Sequence, residues 1–383
     1  MGRPAGDLPP EASIKLLQSE GWKIMESQTI KTAPDVTIIM VHRDRFSLAV
    51  QSLNQTIAAT RAPYKLLYVD AGSPSKVAAE LKRICDENGF RYTRYDALLS
   101  PAQSRNRGHR LADTKYVAFV ESCTFVADNW LEGLISCAEE TGAEVVQPLM
   151  CQGKPFHTEI HQAGGTFAKD IALFFRGAPE DHVICDIDMH QGKQVADVPL
   201  ARAETQVTEV HCLLVRRDTF ERFGDFDESM LSTKDHLNFS MTVWKNGGRI
   251  MLEPASVATF YVPNRHNPIQ ISDYPYFILR WSPKWQEDSL NHFKTKWGLE
   301  GDPYFKKRND IISWRYREAI LKPFARRIPF VGHSYKVQKF VMMTLEPIVV
   351  AFGSWLAKNH EKTLVKETAR ATPHRVGSPA HSL

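Results

Sequence analysis

Six consecutive apolar or β-branched residues, Val36-Thr37-Ile38-Ile39-Met40-Val41, constrain this chain most. The run has no polar alternation, so both of its faces must be covered. It is also shorter than an ordinary helix, and reads as a strand in the middle of a sheet. Similar runs follow at 64–69 and 116–120, and another opens at 143–146. Between them apolar residues recur at helical spacing: Phe46, Ala49, Val50, Leu53 and Ile57, then 77–87, 102–112, and Trp130 to Ile135. Strands alternating with helices predict right-handed crossovers and a mostly parallel sheet. Ligands of such sheets sit at the carboxyl ends of the strands, here just after Val41, Val69 and Val120.

The rhythm breaks over 151–207, a stretch rich in Gly, Pro, His and Asp that reads as a functional loop or lid. It returns with a strand at 210–215, a helix at 235–245 stopped by Asn246-Gly247-Gly248, and strands at 249–252 and 256–261. At roughly 150 residues per domain, 383 residues suggest two to three domains. With 43% hydrophobic and 24% charged residues the chain suits a sizeable core, which excludes a collagen-like or wholly disordered protein. A net charge of +4 is too small to argue for nucleic acid. The six cysteines form no CxxC pair and read as reduced, buried thiols. The opening MGRPAGDLPPEAS has no apolar segment and reads as neither a secretory leader nor a myristoylation site.

The ordered motifs resemble one family. Thr37-Ile38-Ile39-Met40-Val41 before His42-Arg43-Asp44-Arg45 is similar to the opening strand and loop of family-2 glycosyltransferases. Tyr68-Val69-Asp70-Ala71-Gly72-Ser73 resembles their nucleotide motif, and Ser104-Arg105-Asn106-Arg107-Gly108 their ARNxG helix. Tyr116 to Cys123 falls where they carry YVxFLDxD, and Asn129-Trp130-Leu131 follows it. Phe223-Gly224-Asp225-Phe226-Asp227-Glu228 and Asp235-His236-Leu237-Asn238-Phe239 complete the order. The resemblance implies a GT-A fold: α/β, Rossmann-like, a mostly parallel central sheet with flanking helices, plus a mainly helical C-terminal extension. The expected organisation is a tail at 1–34, the nucleotide-sugar domain at 35–263, a basic helical extension at 264–360 and a disordered tail at 361–383.

The site residues follow from the same resemblance. Asp70 ends a buried strand, where a carboxylate accepts from a nucleobase or ribose edge; Asp-x-Gly-Ser is also good turn chemistry by itself. Asp44 would assist from the opposite side or stand solvated. Arg105 and Asn106 share a helix near its start, and Arg105 pairs with phosphate or with a buried carboxylate such as Asp70. Glu121-Ser122-Cys123 stands where the family has two metal-binding acids. Glu121 would ligate Mg²⁺ or Mn²⁺ at the nucleotide diphosphate, whereas a Cys123 thiolate suits such an ion poorly. A metal on Glu121 and waters, cationic side chains in its place, or a degenerate site all remain open. The family's late histidine falls near Tyr261, with His266 as a stand-in. Asp235 is the expected general base, with His236 orienting the acceptor; Asp235 also fits a first-turn helix acid. The histidines at 157, 161, 182, 190 and 211 show no metal-ligand spacing, which argues against zinc. Together Asp70, Glu121 and Asp235 are expected to touch one pocket.

Between 302 and 340, ten Lys or Arg face three acids and are interleaved with Phe305, Trp314, Phe324 and Phe330. That composition suits an anionic membrane surface over 302–357, or a solvated basic face. Phe340 to Ala357 is apolar but interrupted by Glu346-Pro347 and reads as an interfacial or core-packed helix pair. The expectation is a cytoplasmic, peripheral, inverting glycosyltransferase. It would move a sugar from a nucleotide-diphosphate donor to a glycan or lipid-linked hydroxyl. The alternative is a non-catalytic binding relative within a polysaccharide-synthesis complex. A nucleotidyltransferase is disfavoured because the loop after Val41, His42-Arg43-Asp44-Arg45, lacks glycine.

Overall fold

Val36–Val41 forms β1 and is buried along its whole length because it is paired on both sides. β2 (Lys65–Ala71) and β4 (Tyr116–Glu121) run parallel to it, with Val41 opposite Val69 on one side and Glu121 on the other. This register brings His42, Asp70 and Glu121 to one level at the carboxyl edge. Its side chains divide between two cores, as the pleat requires. Ile38 and Met40 join Leu53, Leu81, Trp130 and Leu134; Ile39 and Val41 join Phe119, Leu213, Phe226 and Phe239. The computed structural model describes residues 35–167, 189–263, 267–300, 302–309, 311–329, 331 and 334–371. The predicted 1–34 tail, His182, His266 and residues 372–383 lie outside them.

The remaining strands are β3 (Arg91–Tyr95), β5 (Thr124–Val126), β6 (Val145–Gln152), β7 (Glu159–Gln162), β8 (Ala203–Glu204), β9 (Cys212–Arg216) and β10 (Ile250–Phe260). The sheet order is β3-β2-β1-β4-β9-β6-β10-β5, with β7 on β6 and β8 on β10. The fold is thus mixed α/β, a central sheet flanked by helices, with a helical C-terminal part. The parallel arrangement holds for β3-β2-β1-β4, whereas β9 runs antiparallel to both β4 and β6. It enters from the 151–207 segment rather than through a crossover helix, so no rule imposes a parallel direction. That segment contributes β7 and β8, short and partly polar pieces that its composition concealed. The two strands expected at 249–261 are one, β10, with a register irregularity between Glu253 and Val257 around Pro254.

Pro101–His109 is the helix that aims the motif side chains. Ser100 caps it in a reciprocal capping box with Gln103, and Pro101 occupies the first turn. Gly108 lets it lie against the sheet: a Cβ there would stand 2.4 Å from Ile39 Cγ2. The C-terminal helices Tyr274–Arg280 and Pro283–Trp297 then close over the carboxyl edge. Asp273 accepts from the amides of Phe46 and Ser47 at 2.9 Å, and Tyr276 donates to the Leu99 carbonyl at 3.1 Å.

Tyr335–Ala371 is one helix with Pro347 inside it, rather than the expected pair. Met342, Leu345, Val349, Val350 and Leu356 pack on Phe277, Ile278 and Tyr316, and this tertiary support offsets the one backbone bond that Pro347 lacks. The helix also continues through 361–371, where the sequence suggests disorder. His360-Glu361-Lys362-Thr363-Leu364-Val365-Lys366-Glu367 contains no Gly or Pro to stop it.

Candidate functional site

Glu121 lies at the end of β4 and is wholly buried, yet every oxygen it has is answered by a cation or ring. Arg43 donates to Oε1 at 3.0 Å, Arg105 donates to the same oxygen, and His211 Nδ1 stands 2.5 Å from Oε2. The two guanidinium groups also reach Asp235 Oδ2, at 3.4 Å from Arg43 and 3.2 Å from Arg105. Burial alone would raise the Glu121 pKa; Arg43, His211 and Arg105 outweigh it and hold the carboxyl below its ordinary range. Asp235 is held well below its range in the same way, burial being outweighed by Arg43, His236 and Arg105. Arg43 is in turn raised, because Glu121 and Asp235 outweigh its burial. His211 owes its place here to strand pairing, since the Glu121 amide donates to its carbonyl at 2.9 Å.

Asp70 sits in a different net. His42 Nε2 is 2.9 Å from Oδ1, the Ser73 amide and hydroxyl donate at 3.1 and 2.8 Å, and Tyr92 and Arg94 donate to Oδ2 at 2.5 Å. These bonds overcome burial and lower its pKa. The expected Arg105–Asp70 pairing is not formed, because Arg94 from β3 takes that place. β3 was not expected at all: Arg-Tyr-Thr-Arg-Tyr carries too little apolar weight to announce an edge strand. Asn106 is likewise occupied elsewhere. Its Oδ1 accepts from the Phe226 amide at 3.0 Å and its Nδ2 donates to the Phe226 carbonyl and to Glu228, anchoring the FGDFDE turn. Asp44 accepts from Arg280 and, at 2.8 Å, from Trp281 Nε1. Burial is outweighed by Arg280, Arg43 and Arg315, and its pKa falls to about 2.

A cavity of about 470 Å³ opens beside this net, between the sheet edge and the C-terminal helices. Asp44, Asp235 and His236 line it; Asp70, Arg105, Asn106 and Glu121 do not. The expectation that Asp70, Glu121 and Asp235 touch one pocket is therefore corrected. Asp235 reaches it, Glu121 stands behind Arg43, and Asp70 is closed in by Ser73, Tyr92 and Arg94. Arg43, Lys234, Lys307, Arg308 and Arg315 supply cationic groups to the wall, with Trp281, Trp314 and Tyr304 as aromatic surfaces. Asp44 and Lys234 both have left-handed backbone, φ 60° and 68°. Such geometry in non-glycine residues persists only where tertiary bonds hold it. Asp235 Oδ1 is buried and accepts no hydrogen bond among the described residues; His236 Nδ1 is 3.9 Å away.

Glu121-Ser122-Cys123 does not fit a divalent cation. Glu121 is already neutralised, and Cys123 is a core residue whose thiol burial pushes well up, away from the thiolate a metal requires. Ser122 is tied to the Arg43 amide and the Arg45 carbonyl. Tyr261 packs against Phe125 and Phe156. A different cluster faces the cavity. His161 Nε2 lies 3.9 Å and His211 Nε2 3.7 Å from the Glu209 carboxylate. The ligand atoms of these three residues all fall within 4.8 Å of one another. Sequence spacing could not reveal it, since His161 is on β7 and His211 precedes β9 fifty positions on.

The family profile described as "Glycosyltransferase like family 2" matches residues 38–241. A Drosophila melanogaster protein named "Putative polypeptide N-acetylgalactosaminyltransferase 13" is 24% identical over 313 residues, covering 78% of this chain. The chain spans about half the length, 51%, of that relative. Among solved structures, GalNAc-T7 with UDP, GalNAc and Mn²⁺ matches at TM-score 0.46 and 15% identity, over 80% of this chain and 58% of that one. TarS 1–349 of S. aureus in complex with UDP-GlcNAc matches at TM-score 0.43 and 14% identity, over 89% and 93%. The profile covers more than half of the residues and includes every strand-end motif from β1 to the Asp235 helix, and the chain accordingly belongs to the family-2-like glycosyltransferases.

Proposed function

We propose that the chain is an inverting transferase that moves a sugar from a nucleoside-diphosphate donor to a hydroxyl of a glycan or lipid-linked acceptor. The observation carrying this reading is the cavity itself. One ionised carboxylate with a free oxygen, Asp235, faces a wall bearing Arg43, Lys234, Lys307, Arg308 and Arg315. Cations so placed bind a diphosphate and neutralise it as a leaving group. The acceptor oxygen forms the new bond to the anomeric carbon as the carbon–phosphate-oxygen bond breaks; its proton goes to Asp235 Oδ1 and the electron pair stays on the diphosphate. A carboxylate of low pKa remains ionised at neutral pH and takes the proton as the attacking oxygen becomes acidic along the reaction. His236 orients the acceptor. Arg105, Glu121 and Asp70 act as positioning residues: Arg105 holds Asp235, Glu121 holds Arg43, and Asp70 holds His42 next to Arg43. Trp314, 42% exposed at the cavity, offers a stacking surface for the base, whereas the Trp281 ring is covered by Arg280 and Arg315.

The test is Asp235→Asn, assayed with UDP-GalNAc first because of the relative's name, then with other nucleotide sugars. Transfer should fall by about 10²- to 10⁴-fold, the range for loss of a general base, while calorimetry finds donor binding little changed. Full activity in the variant removes Asp235 from the mechanism. The non-catalytic alternative keeps one supporting observation, the closed Glu121–Cys123 position. Donor binding without turnover under every metal and acceptor tried would favour it.

The proposal extends to a membrane surface. Tyr335–Lys362 is long and apolar enough to cross a membrane, with mean hydropathy 1.7 in its most apolar window. Phe340, Met343, Ile348, Phe352 and Trp355 are exposed along it, and Lys336 and Lys339 are exposed in its first turns. Its opposite side packs on the body, which favours lying in the cytoplasmic interface. Full-length protein should sediment with vesicles containing phosphatidylserine and much less with phosphatidylcholine alone. Equal recovery with both would remove the electrostatic part.

A further inference from the structure

We infer that His161, Glu209 and His211 form a binding site for a divalent first-row transition metal, open to the cavity and separate from the Glu121–Cys123 position. Each histidine has its Nδ1 occupied. His211 Nδ1 is 2.5 Å from Glu121 Oε2, and His161 Nδ1 is 3.0 Å from Gln152 Oε1. An acceptor at Nδ1 favours the tautomer protonated there, which turns the Nε2 lone pair outward, the arrangement that metal-bound histidines use; the Gln191 amide nitrogen, 3.5 Å from His161 Nδ1, is the more distant of that ring's two partners. Both Nε2 atoms then point at one carboxylate, from 3.9 and 3.7 Å. Ligand atoms of a tetrahedral shell with bonds of about 2.1 Å are roughly 3.4 Å apart, so small side-chain adjustments close the set. The ligand bodies are held: the His211 ring stacks on Phe260 at 4.0 Å and 14°, and Glu209 accepts from the Val210 amide at 3.1 Å. Two imidazoles and one carboxylate select Mn²⁺, Co²⁺ or Zn²⁺ over Mg²⁺, and three protein ligands leave coordination positions facing the cavity.

In this arrangement Glu121 keeps a place in metal chemistry by orienting a ligand instead of being one. That the bound ion stands beside donor phosphates rests on the transferase reading; that an ion binds does not.

The experiment is titration of the full chain, without donor, by Co²⁺ followed by visible absorption and by Mn²⁺ followed by the electron paramagnetic resonance of the free ion. One equivalent should bind. His161→Ala and Glu209→Gln should weaken binding at least 100-fold, and Gln152→Ala by about 10-fold or more through the freed His161 ring. Cys123→Ser should bind as the parent does. His161 and Glu209 reach the cavity wall, and thermal unfolding of each variant verifies that it is folded. No stoichiometric uptake by the parent, or equal uptake by parent, His161→Ala and Glu209→Gln, overturns the site. Uptake with no transfer from any donor would retain the site and reject the transferase reading; transfer with no uptake would do the reverse.

Discussion

Glu121 and Glu209 flank the same imidazole, His211, from opposite nitrogens, and they differ in what else surrounds them. Glu121 meets two arginines and is sealed at the end of β4. Glu209 meets two histidine rings and looks into the cavity. Both carboxylates are held below their ordinary pKa range against the effect of burial, Glu121 by Arg43 first and Glu209 by His236 and His211. Low pKa therefore does not separate structural acids from chemical ones. What separates them is whether the compensating charge is built into the fold or a ligand can supply it.

The largest expected effect breaks the comparison on the structural side. Glu121→Ala leaves Arg43 and Arg105 with one buried partner fewer and should cost about 3–5 kcal/mol, read by denaturant unfolding. Glu209→Gln should cost about 1 kcal/mol or less, since its neighbours are rings rather than buried guanidinium groups. Equal losses would end the distinction. A smaller effect sharpens it through pH. The Asp44 carboxyl falls from 3.8 to about 2 on folding, so its stabilisation is present above pH 4 and is lost as pH falls toward 2. The amount is roughly 2 kcal/mol, and Asp44→Asn should flatten the acid limb of the stability curve by that much. The smallest concerns aim: Ser100→Ala removes the cap of the helix that delivers Arg105 and should cost about 1 kcal/mol in unfolding free energy.

Apolar periodicity made β1, β2, β4 and the helices between them legible, because strands covered on both faces cannot hide their composition. It failed where elements are half-polar. β3 was invisible, and with it Tyr92 and Arg94, the partners that close Asp70. The apolar segment at 340–357 was legible as helical, but Glu346-Pro347 reads as dividing it into a pair, and the body against which it packs makes it one helix. Asp235 and Asp44 were placed at the site by motif order, and both line the cavity. Glu121, Arg105 and Asn106 were named from the same motifs, and the structure puts them behind the wall, because a motif records a position on a strand or helix and not which neighbour reaches it first.

The amino-acid order by itself determined the alternating strands and helices, the strand ends where chemistry gathers, and the family they belong to. These are local consequences of side-chain shape and period. Only the tertiary structure decided which charges cancel one another. β9 folds back between β4 and β6 and carries His211 to Glu121, while β7 brings His161 to the same place from fifty residues away. Burial then makes every unanswered charge costly, so the arginines take Glu121 and Oδ2 of Asp235, while Glu209 is left among imidazoles at the cavity.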